Sequence, residues 1–355
     1  MQKKSGSYVL IIASSGRMLA QAARQAGYLP LVIDLYADQD TEALAEQACQ
    51  VESLALAIVQ PIVEQLATLY TFTFVVYGSG LEGHQETLFW LAAKFQLKGN
   101  DVVVFQQFAD KRQLFKQLDR LHICYPEVCF TMPEDRSNYL LKPQNNVGGI
   151  GISRCDRTAQ SGEYYQRFCC GQVGSVLFCA NREQIQLIGF HRQWTVAQDD
   201  FTFAGIMRAN ILPAHEQQRV QSWLADLVKY YHLQGLGSLD FIWDGNACYF
   251  LEINSRPPAS MLLYPELKLF SAHLTGSMIE FKSDKSIRAM QIIFARKPCK
   301  IREIEWPKWS FDRPKIKTEI AKGEPICSIM AQGMTIQQVE NSLLEKQQFI
   351  ENNIY

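Results

Sequence analysis

The chain has 355 residues, of which 47% are hydrophobic, and its formal net charge at pH 7 is -1. This length allows two or three domains with buried cores. Lys and Arg are spread along a nearly neutral chain, which argues against a nucleic-acid surface or an anionic membrane as partner. No apolar stretch is long enough to cross a membrane.

The ten cysteines form no CxxC pair, and several lie in apolar, strand-like runs. We therefore interpret them as buried free thiols. Lys3 and Lys4 precede the apolar run at residues 8–13, as in a signal peptide, but the polar residues 14–17 end that run far too early. The prediction is a protein of a reducing cytoplasm.

The N-terminal part repeats a strand, loop and helix pattern. An apolar strand at residues 8–13 is followed by a polar loop, a helix at 18–26 and a second strand at 31–34. A strand at 72–77 and a helix at 82–94 repeat the order. The alternation predicts a Rossmann-like parallel sheet whose sites lie at the C-terminal ends of the strands.

The loop at residues 78–83 reads Gly-Ser-Gly-Leu-Glu-Gly, which formally matches the dinucleotide fingerprint GxGxxG. The match is weak because it lies outside the first β–α unit and no acidic residue ends a strand about twenty residues later. We interpret these glycines as a tight turn that presents Ser79 and Glu82 to a substrate.

A glycine-rich loop at residues 144–152 follows a predicted strand at 139–143 that contains Lys142. Its Gly148, Gly149 and Gly151 would let backbone N–H groups approach phosphate closely. No GK[ST] sequence closes the loop, so it is not a Walker A motif. Lys142 could meet phosphates as a point charge, although a lysine snorkelling beside a flexible hairpin would give the same pattern.

The remaining predicted elements surround these motifs. A helix runs from Asp110 and Lys111 to about residue 121, which places a domain boundary near residue 105. The other elements are strands at 164–168, 175–180, 289–295 and 326–330, and helices at 214–231 and 335–351.

The hairpin at residues 236–254 carries the main candidate site. A two-residue turn on Gly245 and Asn246 would put Asp240 opposite Leu251 and Glu252 on the other face. A three-residue loop over residues 244–246 instead places Asp240 and Glu252 on one face as diagonal cross-strand neighbours, roughly 7 Å apart at the backbone. This second register separates polar from apolar side chains, so we predict the three-residue loop.

Two carboxylates and an amide suit magnesium or manganese better than zinc, because these metals prefer oxygen ligands. A surface hairpin with a solvated acidic face is the commoner explanation for two such acids. However, Asn254 and Arg256 continue the alternation, and two prolines then end the strand. An arginine beside the acids favours a cation site that serves phosphate.

The order and spacing of these motifs resemble the ATP-grasp superfamily over nearly the whole chain. The motifs are Asp110–Lys111, Lys142 with the glycine loop, residues 165–168 before Gly171, Asp240, and residues 252–256. The chain is most similar to the predicted carboligases related to biotin carboxylase, which include tyramine-glutamate ligases. Residues 312–314 and 323–326 are similar to that branch, and residues 16–20 are similar to purine-pathway carboxylases.

The resemblance implies a multidomain fold of α/β and α+β units. It comprises an N-terminal Rossmann-like (pre-ATP-grasp) domain at 1–105, then a two-part ATP-grasp fold, and finally a small C-terminal β-rich cap with a closing helix at 286–355. Within the ATP-grasp fold, the small lid subdomain would cover residues 106–168 and the large subdomain with the metal site would cover 169–285.

The resemblance also implies roles for individual residues. Asp240, Glu252 and Asn254 would hold Mg²⁺ or Mn²⁺, and the three loop glycines would form a phosphate lid. The nucleotide would contact Lys111, Lys142, Gln166, Arg167 and Phe168, the last three beside adenine, while Arg256 and Lys142 would act on the transferred phosphoryl group. Arg167 departs from the family pattern, where Glu commonly follows this Gln.

The implied activity is that of an ATP-dependent carboxylate–amine ligase that releases ADP and works through an acyl phosphate. Its place would be in methanofuran- or pterin-type cofactor synthesis. Two alternatives stay open, namely a bicarbonate-activating carboxylase of the same superfamily and a non-catalytic nucleotide-binding protein. Besides ATP, the expected partners are a small carboxylate and an amine, and a homodimer is common among similar proteins.

Five further residues are interpreted as substrate contacts. Ser15 and Arg17 follow the first strand, and Ser79 and Glu82 follow the strand at 72–77. Arg192 would grip a substrate carboxylate with its guanidinium fork.

Overall fold

The computed structural model describes residues 3–145, 147–197, 200–280 and 284–355. Its N-terminal region alternates strands and helices, with a short 3₁₀ turn at Leu81–Gly83. The elements are β1 (Lys4–Ile12), α1 (Arg17–Gln25), β2 (Leu29–Asp34), α2 (Gln39–Leu44), β3 (Gln47–Gln50), α3 (Leu56–Leu69), β4 (Tyr70–Tyr77), α4 (Gln85–Lys94) and β5 (Gln96–Lys98).

These strands form a parallel sheet in the order β3-β2-β1-β4-β5. Its central strand β1 has Val9 to Ile12 fully buried, because a parallel sheet is covered on both faces. The predicted Rossmann-like sheet is therefore confirmed. The loops after β1, β2 and β4 lie at one edge, where such sheets bind ligands.

A small antiparallel sheet follows two helices, each begun by an aspartate. Asp101 accepts a hydrogen bond from Val104 N, and Asp110 accepts one from Gln113 N, both at 3.1 Å. The predicted boundary at residue 105 falls inside the first helix, and the domain bounds stay predictions. The elements are α5 (Val102–Ala109), α6 (Lys111–Arg120), β6 (Val128–Cys129), β7 (Tyr139–Pro143), β8 (Ser153–Arg154) and β9 (Glu163–Arg167), with sheet order β6-β9-β7-β8.

The rest of the chain builds one eight-stranded antiparallel sheet in the order β14-β13-β10-β11-β12-β15-β19-β17, while β16 pairs with β18. Its C-terminal strands thus continue the sheet that holds the candidate metal residues. The elements are β10 (Gln172–Asn181), β11 (Ile185–Ala197), β12 (Asp200–Met207), α7 (Ala214–Tyr231), β13 (Gln234–Trp243), β14 (Cys248–Asn254), α8 (Leu269–Thr275), β15 (Ile287–Phe294), β16 (Cys299–Lys300), β17 (Ser310–Phe311), β18 (Glu319–Ile320), β19 (Pro325–Gly333) and α9 (Ile336–Ile354).

Helix α7 packs its apolar face against one side of this sheet. Its apolar residues recur at helical spacing from Val220 to Tyr231 and are buried. They join Val176, Phe178 and Phe241 of the sheet in one core. That core fixes β13 from the side opposite its polar residues.

The β13–β14 hairpin corrects the predicted three-residue loop. Trp243 pairs with Cys248, and Asp244 N donates to Ala247 O, so the turn lies on Gly245 and Asn246. Gly245 has φ 95°, which such a turn requires. A register shift after Asp240 then leaves Leu251 as a bulge and makes Asp240 the direct partner of Glu252. The shared face was predicted correctly, but the diagonal arrangement was wrong.

The cysteines are free, as predicted, but not all are buried. Cys155, Cys179, Cys248 and Cys327 are buried, whereas Cys124 and Cys170 are exposed. In the described ranges, no helix combines the length and apolar character needed to cross a membrane.

Candidate functional site

The two predicted metal-binding carboxylates lie side by side on neighbouring strands, Asp240 on β13 and Glu252 on β14. Asn254 completes the group, because its Nδ2 donates to Asp240 Oδ2 at 3.2 Å and to Ser238 Oγ at 3.4 Å. Gln193 of β11 also donates to Asp240 Oδ1 at 3.4 Å. Gln193 was not predicted from the sequence as a site residue. Successive side chains of a strand lie on opposite faces of the sheet, so Gln193 and its neighbour Arg192 are on different faces.

The electrostatics of this group suit a hard cation. Burial, together with the charge of Glu252, raises the pKa of Asp240 to about 7. No cluster of three or more His, Cys, Asp or Glu side chains able to hold a metal is found in the described ranges. The donors here are instead two acids and an amide, an all-oxygen set that fits Mg²⁺ completed by water and phosphate oxygens.

Arg256 links this group to the N-terminal sheet. Its Nε lies 2.6 Å from Glu82 Oε1, and its Nη2 donates to Asn254 Oδ1 at 3.2 Å. Glu82 Oε2 in turn accepts a hydrogen bond from Gly80 N at 2.7 Å. Arg256 is only 9% exposed, so its position is closely fixed. The loop after β4 therefore orients Arg256 beside the candidate metal group, which is Asp240, Glu252 and Asn254.

A cavity of about 40 Å³ brings Lys111 and Arg256 together with two of the predicted metal-binding residues. It is lined by Lys111 at the start of α6, by Glu252 and Asn254, and by Glu82 and Arg256. Positive and negative side chains that are far apart in sequence thus face one space. A phosphate chain with its metal ion would be balanced by this mixture of charges.

Lys142 points inward and does not snorkel to solvent. Its Nζ donates to Gln166 Oε1 at 2.9 Å and lies 6.0 Å from the centre of the Tyr164 ring. Burial, the main cause, lowers the pKa of Lys142 to about 8, and nearby Lys111 adds to the effect. Gln166 Nε2 is buried without a partner among the described residues. This amide is therefore available to an acceptor on a ligand.

The glycine-rich loop packs onto the β12 strand. Gly148, Gly149 and Gly151 all have positive φ angles, of 61°, 75° and 80°. Phe203 N donates to Gly148 O at 2.8 Å, and a Cβ on Gly149 would collide with the carbonyl oxygen of Phe201. Only glycine combines these angles with so close an approach.

Residues 108–260 match the family model described as ATP-grasp domain. This span contains the glycine loop, both lysines, the metal group and Arg256. The chain contains an ATP-grasp domain. The superfamily resemblance stated from the sequence is thereby confirmed.

Solved structures are similar in fold to nearly the whole chain. One is N5-carboxyaminoimidazole synthetase from Staphylococcus aureus complexed with ADP, with a TM-score of 0.71 and 15% sequence identity. The match covers 97% of this chain and 98% of the synthetase chain. Another is the biotin carboxylase domain dimer of 2-oxoglutarate carboxylase from Hydrogenobacter thermophilus, complexed with MgADP, ADP and bicarbonate. Its TM-score is 0.74 at 12% sequence identity, and the match covers 94% of this chain and 88% of the carboxylase chain.

One curated relative is an uncharacterized protein from Methanocaldococcus jannaschii. It is 22% identical over 267 residues, which are 70% of this chain and 67% of the relative. The predicted fold class is confirmed by the family model and the structural matches.

The three residues predicted to lie beside adenine have different surroundings. Gln166 is buried, whereas Arg167 is exposed and pairs with Glu127 Oε2 at 3.0 Å. Phe168 lies against the guanidinium of Arg154, 3.8 Å from ring centre to Cζ. Their contact with adenine stays a prediction, since the structure orients Arg167 towards Glu127.

Two of the predicted substrate residues, Ser79 and Glu82, follow β4 on the side of the candidate metal group. Ser79 O accepts a hydrogen bond from Ser14 N at 2.7 Å, and Glu82 holds Arg256. Ser15, Arg17 and Arg192 are engaged elsewhere. Arg17 Nε lies 2.8 Å from Asp312 Oδ1, Ser15 Oγ donates to the same oxygen at 3.5 Å, and Arg192 pairs with Glu340 of α9.

Asn100 holds the backbone of Ser255, between two residues of the candidate site. Its Nδ2 donates to Ser255 O at 2.8 Å, and its Oδ1 accepts from Gln234 N at 2.7 Å. Its own carbonyl accepts from Tyr77 OH at 2.8 Å. Asn100 is buried, so these bonds connect the N-terminal sheet, the start of β13 and the residue between Asn254 and Arg256.

We expect Asn100→Ala to raise the Mg²⁺ concentration required for activity about tenfold. The substitution leaves the buried Ser255 carbonyl unpaired, a cost of about 1–3 kcal/mol, and loosens residues 254–256. Titration of ADP release with Mg²⁺ measures the change. The control is Tyr77→Phe, which removes the hydrogen bond to the Asn100 carbonyl but leaves the Asn100 side chain in place. An equal change in the Mg²⁺ requirement of this control would contradict a specific role of the Asn100 side chain.

Magnesium affinity should rise with pH through about 7. Below that value Asp240 is protonated because burial and Glu252 raise its pKa to about 7, and a metal ligand must be deprotonated. Calorimetric titration with Mg²⁺ and a non-hydrolysable ATP analogue, at about pH 6 and about pH 8, measures the difference. The same pH slope in Asp240→Asn would show that another group is responsible.

Proposed function

We propose that the protein is an ATP-dependent carboxylate–amine ligase that releases ADP and requires Mg²⁺. The observation that carries the proposal is the shared cavity at which Lys111, Glu252, Asn254 and Arg256 meet. The ATP-grasp domain supports the nucleotide assignment, as does the similarity to a synthetase solved with ADP and a carboxylase solved with MgADP.

Each side chain has a definite task in this proposal. Asp240, Glu252 and Asn254 would hold Mg²⁺, which neutralises phosphate charge when it is bound. Lys142 and Lys111 would bind phosphate oxygens, and Arg256 would stabilise the charge that develops during transfer. The glycine loop would cover the phosphates and exclude water from a hydrolysable intermediate.

The reaction proceeds in two steps. A carboxylate oxygen of the acid attacks the γ-phosphorus, the bond to the β-phosphate oxygen breaks, and ADP leaves an acyl phosphate. The nitrogen of the amine then attacks the carbonyl carbon, inorganic phosphate leaves, and the nitrogen loses one proton. The protein contributes mainly position and charge neutralisation to both steps.

The test is a screen of ADP release with pools of carboxylates, each with and without pools of amines. Release that requires both pools supports the ligase. Bicarbonate-dependent release without amine would favour the carboxylase alternative, which the similarity to N5-carboxyaminoimidazole synthetase makes a specific competitor. Binding of ATP with no release under any condition would indicate a non-catalytic nucleotide-binding protein.

Three finer statements belong to the same proposal. We place the reaction in the synthesis of methanofuran- or pterin-type cofactors, in the cytoplasm, on the resemblance to carboligases of those pathways. We also propose a homodimer, in line with the dimer of the similar biotin carboxylase domain. Light scattering of the purified full chain tests the dimer directly.

A further inference from the structure

A second cavity, of about 810 Å³, lies where three parts of the chain meet. Its wall is formed by helix α1, by residues 261–271, and by C-terminal strands together with helix α9. It is far larger than the cavity beside the candidate metal group. Its volume falls in the range of about 300–1,000 Å³ that is typical of small-molecule sites. The structure therefore offers a second place for a ligand.

The sheet register places this cavity on the face of the candidate metal group but far from it. One row of neighbouring residues runs through Asp240, Ser175, His191, Arg208 and Arg288. Arg208 N donates to Arg288 O at 2.8 Å, and Arg288 lines the cavity. Residues paired across strands share a face. Because neighbouring strands lie about 4.8 Å apart, Arg288 is roughly 19 Å from Asp240.

Two arginines and two acids beside the cavity neutralise each other. Glu266 accepts a hydrogen bond from Arg208 at 3.0 Å and one from Arg288 at 2.7 Å. Asp284 Oδ2 lies 2.8 Å from Arg288 Nη1. Positive and negative charges are equal in number in this network, so it adds little net charge to the cavity.

Lys346 of α9 lines the same cavity and lacks an acidic partner. Its Nζ donates to Met330 O at 2.8 Å and lies 5.4 Å from the centre of the Trp309 ring, and it forms no ion pair within the described ranges. Burial is the main cause that lowers the pKa of Lys346. Lys268, the other lysine of the wall, is exposed and is likewise without an ion pair in the described part of the chain. The charge left uncompensated in the wall is therefore positive.

Two amides of the wall also favour a ligand that accepts hydrogen bonds. Gln21 Oε1 accepts from Arg17 Nη1 at 2.8 Å, and Gln332 Oε1 accepts from Arg288 Nε at 3.2 Å. The acceptor atoms of both amides are thus used within the protein. What these side chains still offer is the N–H donors of their amide groups.

Much of the remaining wall is apolar and consists of thioether and aromatic side chains. These are Met18, Met261, Phe270, Trp309, Phe311 and Met330. Methionine side chains adapt to irregular apolar shapes, and aromatic rings provide large apolar surfaces. This part of the wall suits the apolar body of a ligand.

We propose that the cavity binds a small organic acid, with its carboxylate at Lys346 and its apolar body against the methionine and aromatic side chains. A carboxylate supplies the negative charge and the acceptor atoms that the wall lacks. It is not the carboxylate that would be phosphorylated at the candidate metal group, because Lys346 is bonded to β19, one strand further from Asp240 than Arg288 is. The ligand is a separate regulatory acid or the remote acidic end of a long substrate, and these two share the same chemistry.

The first test is calorimetric titration of the full chain without nucleotide. The probes are 4-phenylbutanoate, its neutral isostere 4-phenylbutanamide, and acetate, which has the charge but almost no apolar body. We expect 4-phenylbutanoate to bind at least about tenfold tighter than either of the others. Lys346→Met should weaken 4-phenylbutanoate binding at least about tenfold and leave 4-phenylbutanamide binding unchanged, because only the charged probe loses a partner.

Two further variants control this result. Lys229→Met makes the same change at an exposed position of α7 and should leave binding unchanged. Ala22→Phe fills the apolar part of the cavity while keeping Lys346, so it should abolish binding of both phenyl probes. Thermal unfolding checks that the variants are folded. Lys346→Met should be at least as stable as wild type, since it keeps an apolar stem and removes a partly buried charge.

Several results would overturn the proposal. These are equal 4-phenylbutanoate binding by wild type and Lys346→Met, equal binding of the acid and its amide, unchanged binding in folded Ala22→Phe, and no binding of any probe. A clear loss of stability in Lys346→Met would also overturn it, because Lys346 would then have a structural role.

ADP release separates the two sources of the acid. With substrate pools that support turnover, 4-phenylbutanoate should raise the Michaelis constant for the acid pool if the cavity holds one end of the substrate. A changed turnover number at a constant Michaelis constant would identify a separate regulatory acid. A bound probe that changes neither would overturn the proposal of a functional site. The binding test itself requires no turnover, so failure of the proposed ligase function would leave its result standing.

Discussion

Glu252→Gln should reduce Mg²⁺-dependent ADP release at least about 10³-fold, equivalent to ~4 kcal/mol of transition-state stabilisation. Glu252 is the direct cross-strand partner of Asp240, and the amide keeps the shape of the side chain while removing its charge. The remaining Asp240 and Asn254 would hold Mg²⁺ weakly. The measurement is ADP release with the substrate pools that support wild-type turnover, alongside Mg²⁺ titration with a non-hydrolysable ATP analogue.

The same variant should fold normally. Removing Glu252 relieves repulsion of Asp240, whose pKa the Glu252 charge helps to raise. Thermal unfolding without metal should therefore show no loss of stability. Glu303→Gln, at an exposed position, is the matched control. Turnover at the wild-type rate would refute the metal assignment, and a lower melting temperature would show that Glu252 is structural.

Arg256→Met should lower the turnover number by about 10²–10³-fold, the usual cost of losing one group that stabilises charge in a transition state. It should also destabilise the fold by about 3–5 kcal/mol, because Glu82 would be left without its partner in a largely buried position. The Arg256 and Glu82 side chains are 10% and 18% exposed. ADP release and denaturant unfolding measure the two effects separately.

The double substitution Arg256→Met with Glu82→Gln separates structure from chemistry. Removing both charges should recover most of the stability, since neither ion is then buried alone. Turnover should stay low, because no positive charge remains for the phosphoryl group. Recovery of turnover together with stability would show that Arg256 acts only as a structural partner of Glu82.

Much of the fold followed from local sequence patterns. Helix α7 is observed over the predicted residues 214–231, and β7 over the predicted 139–143. In both, an uninterrupted apolar pattern coincides with clear end signals. The parallel N-terminal sheet was also predicted, because alternating strands and helices leave few other arrangements.

The hairpin site was predicted through an incorrect register. Asp240 and Glu252 do share a face, but a bulge at Leu251 restores that face after a two-residue turn. Bulges depend on how both strands pack against their neighbours, here Phe241 and Phe250 in the core below. Turn residues alone cannot reveal such a compensation.

Contacts between segments that are far apart in the chain could not be predicted from the sequence. Arg17 and Asp312 are 295 positions apart, and Asn100 and Ser255 are 155 apart. No local pattern marks such pairs, because each partner looks like an ordinary polar residue in its own segment. Gln193 was missed for a related reason, since β11 was not recognised as a strand beside β10.

The continuous eight-stranded sheet sets a limit on shortening the protein. β15, β19 and β17 extend the sheet beyond β12, where Ile206 and Met207 are almost fully buried. A chain ended before Ile287 would leave β12 as an unprotected edge with unpaired N–H and C=O groups, a template for self-association. Such a chain would also lack Asp312, the ion-pair partner of the buried Arg17. Expression as an isolated ATP-binding unit should therefore yield aggregates.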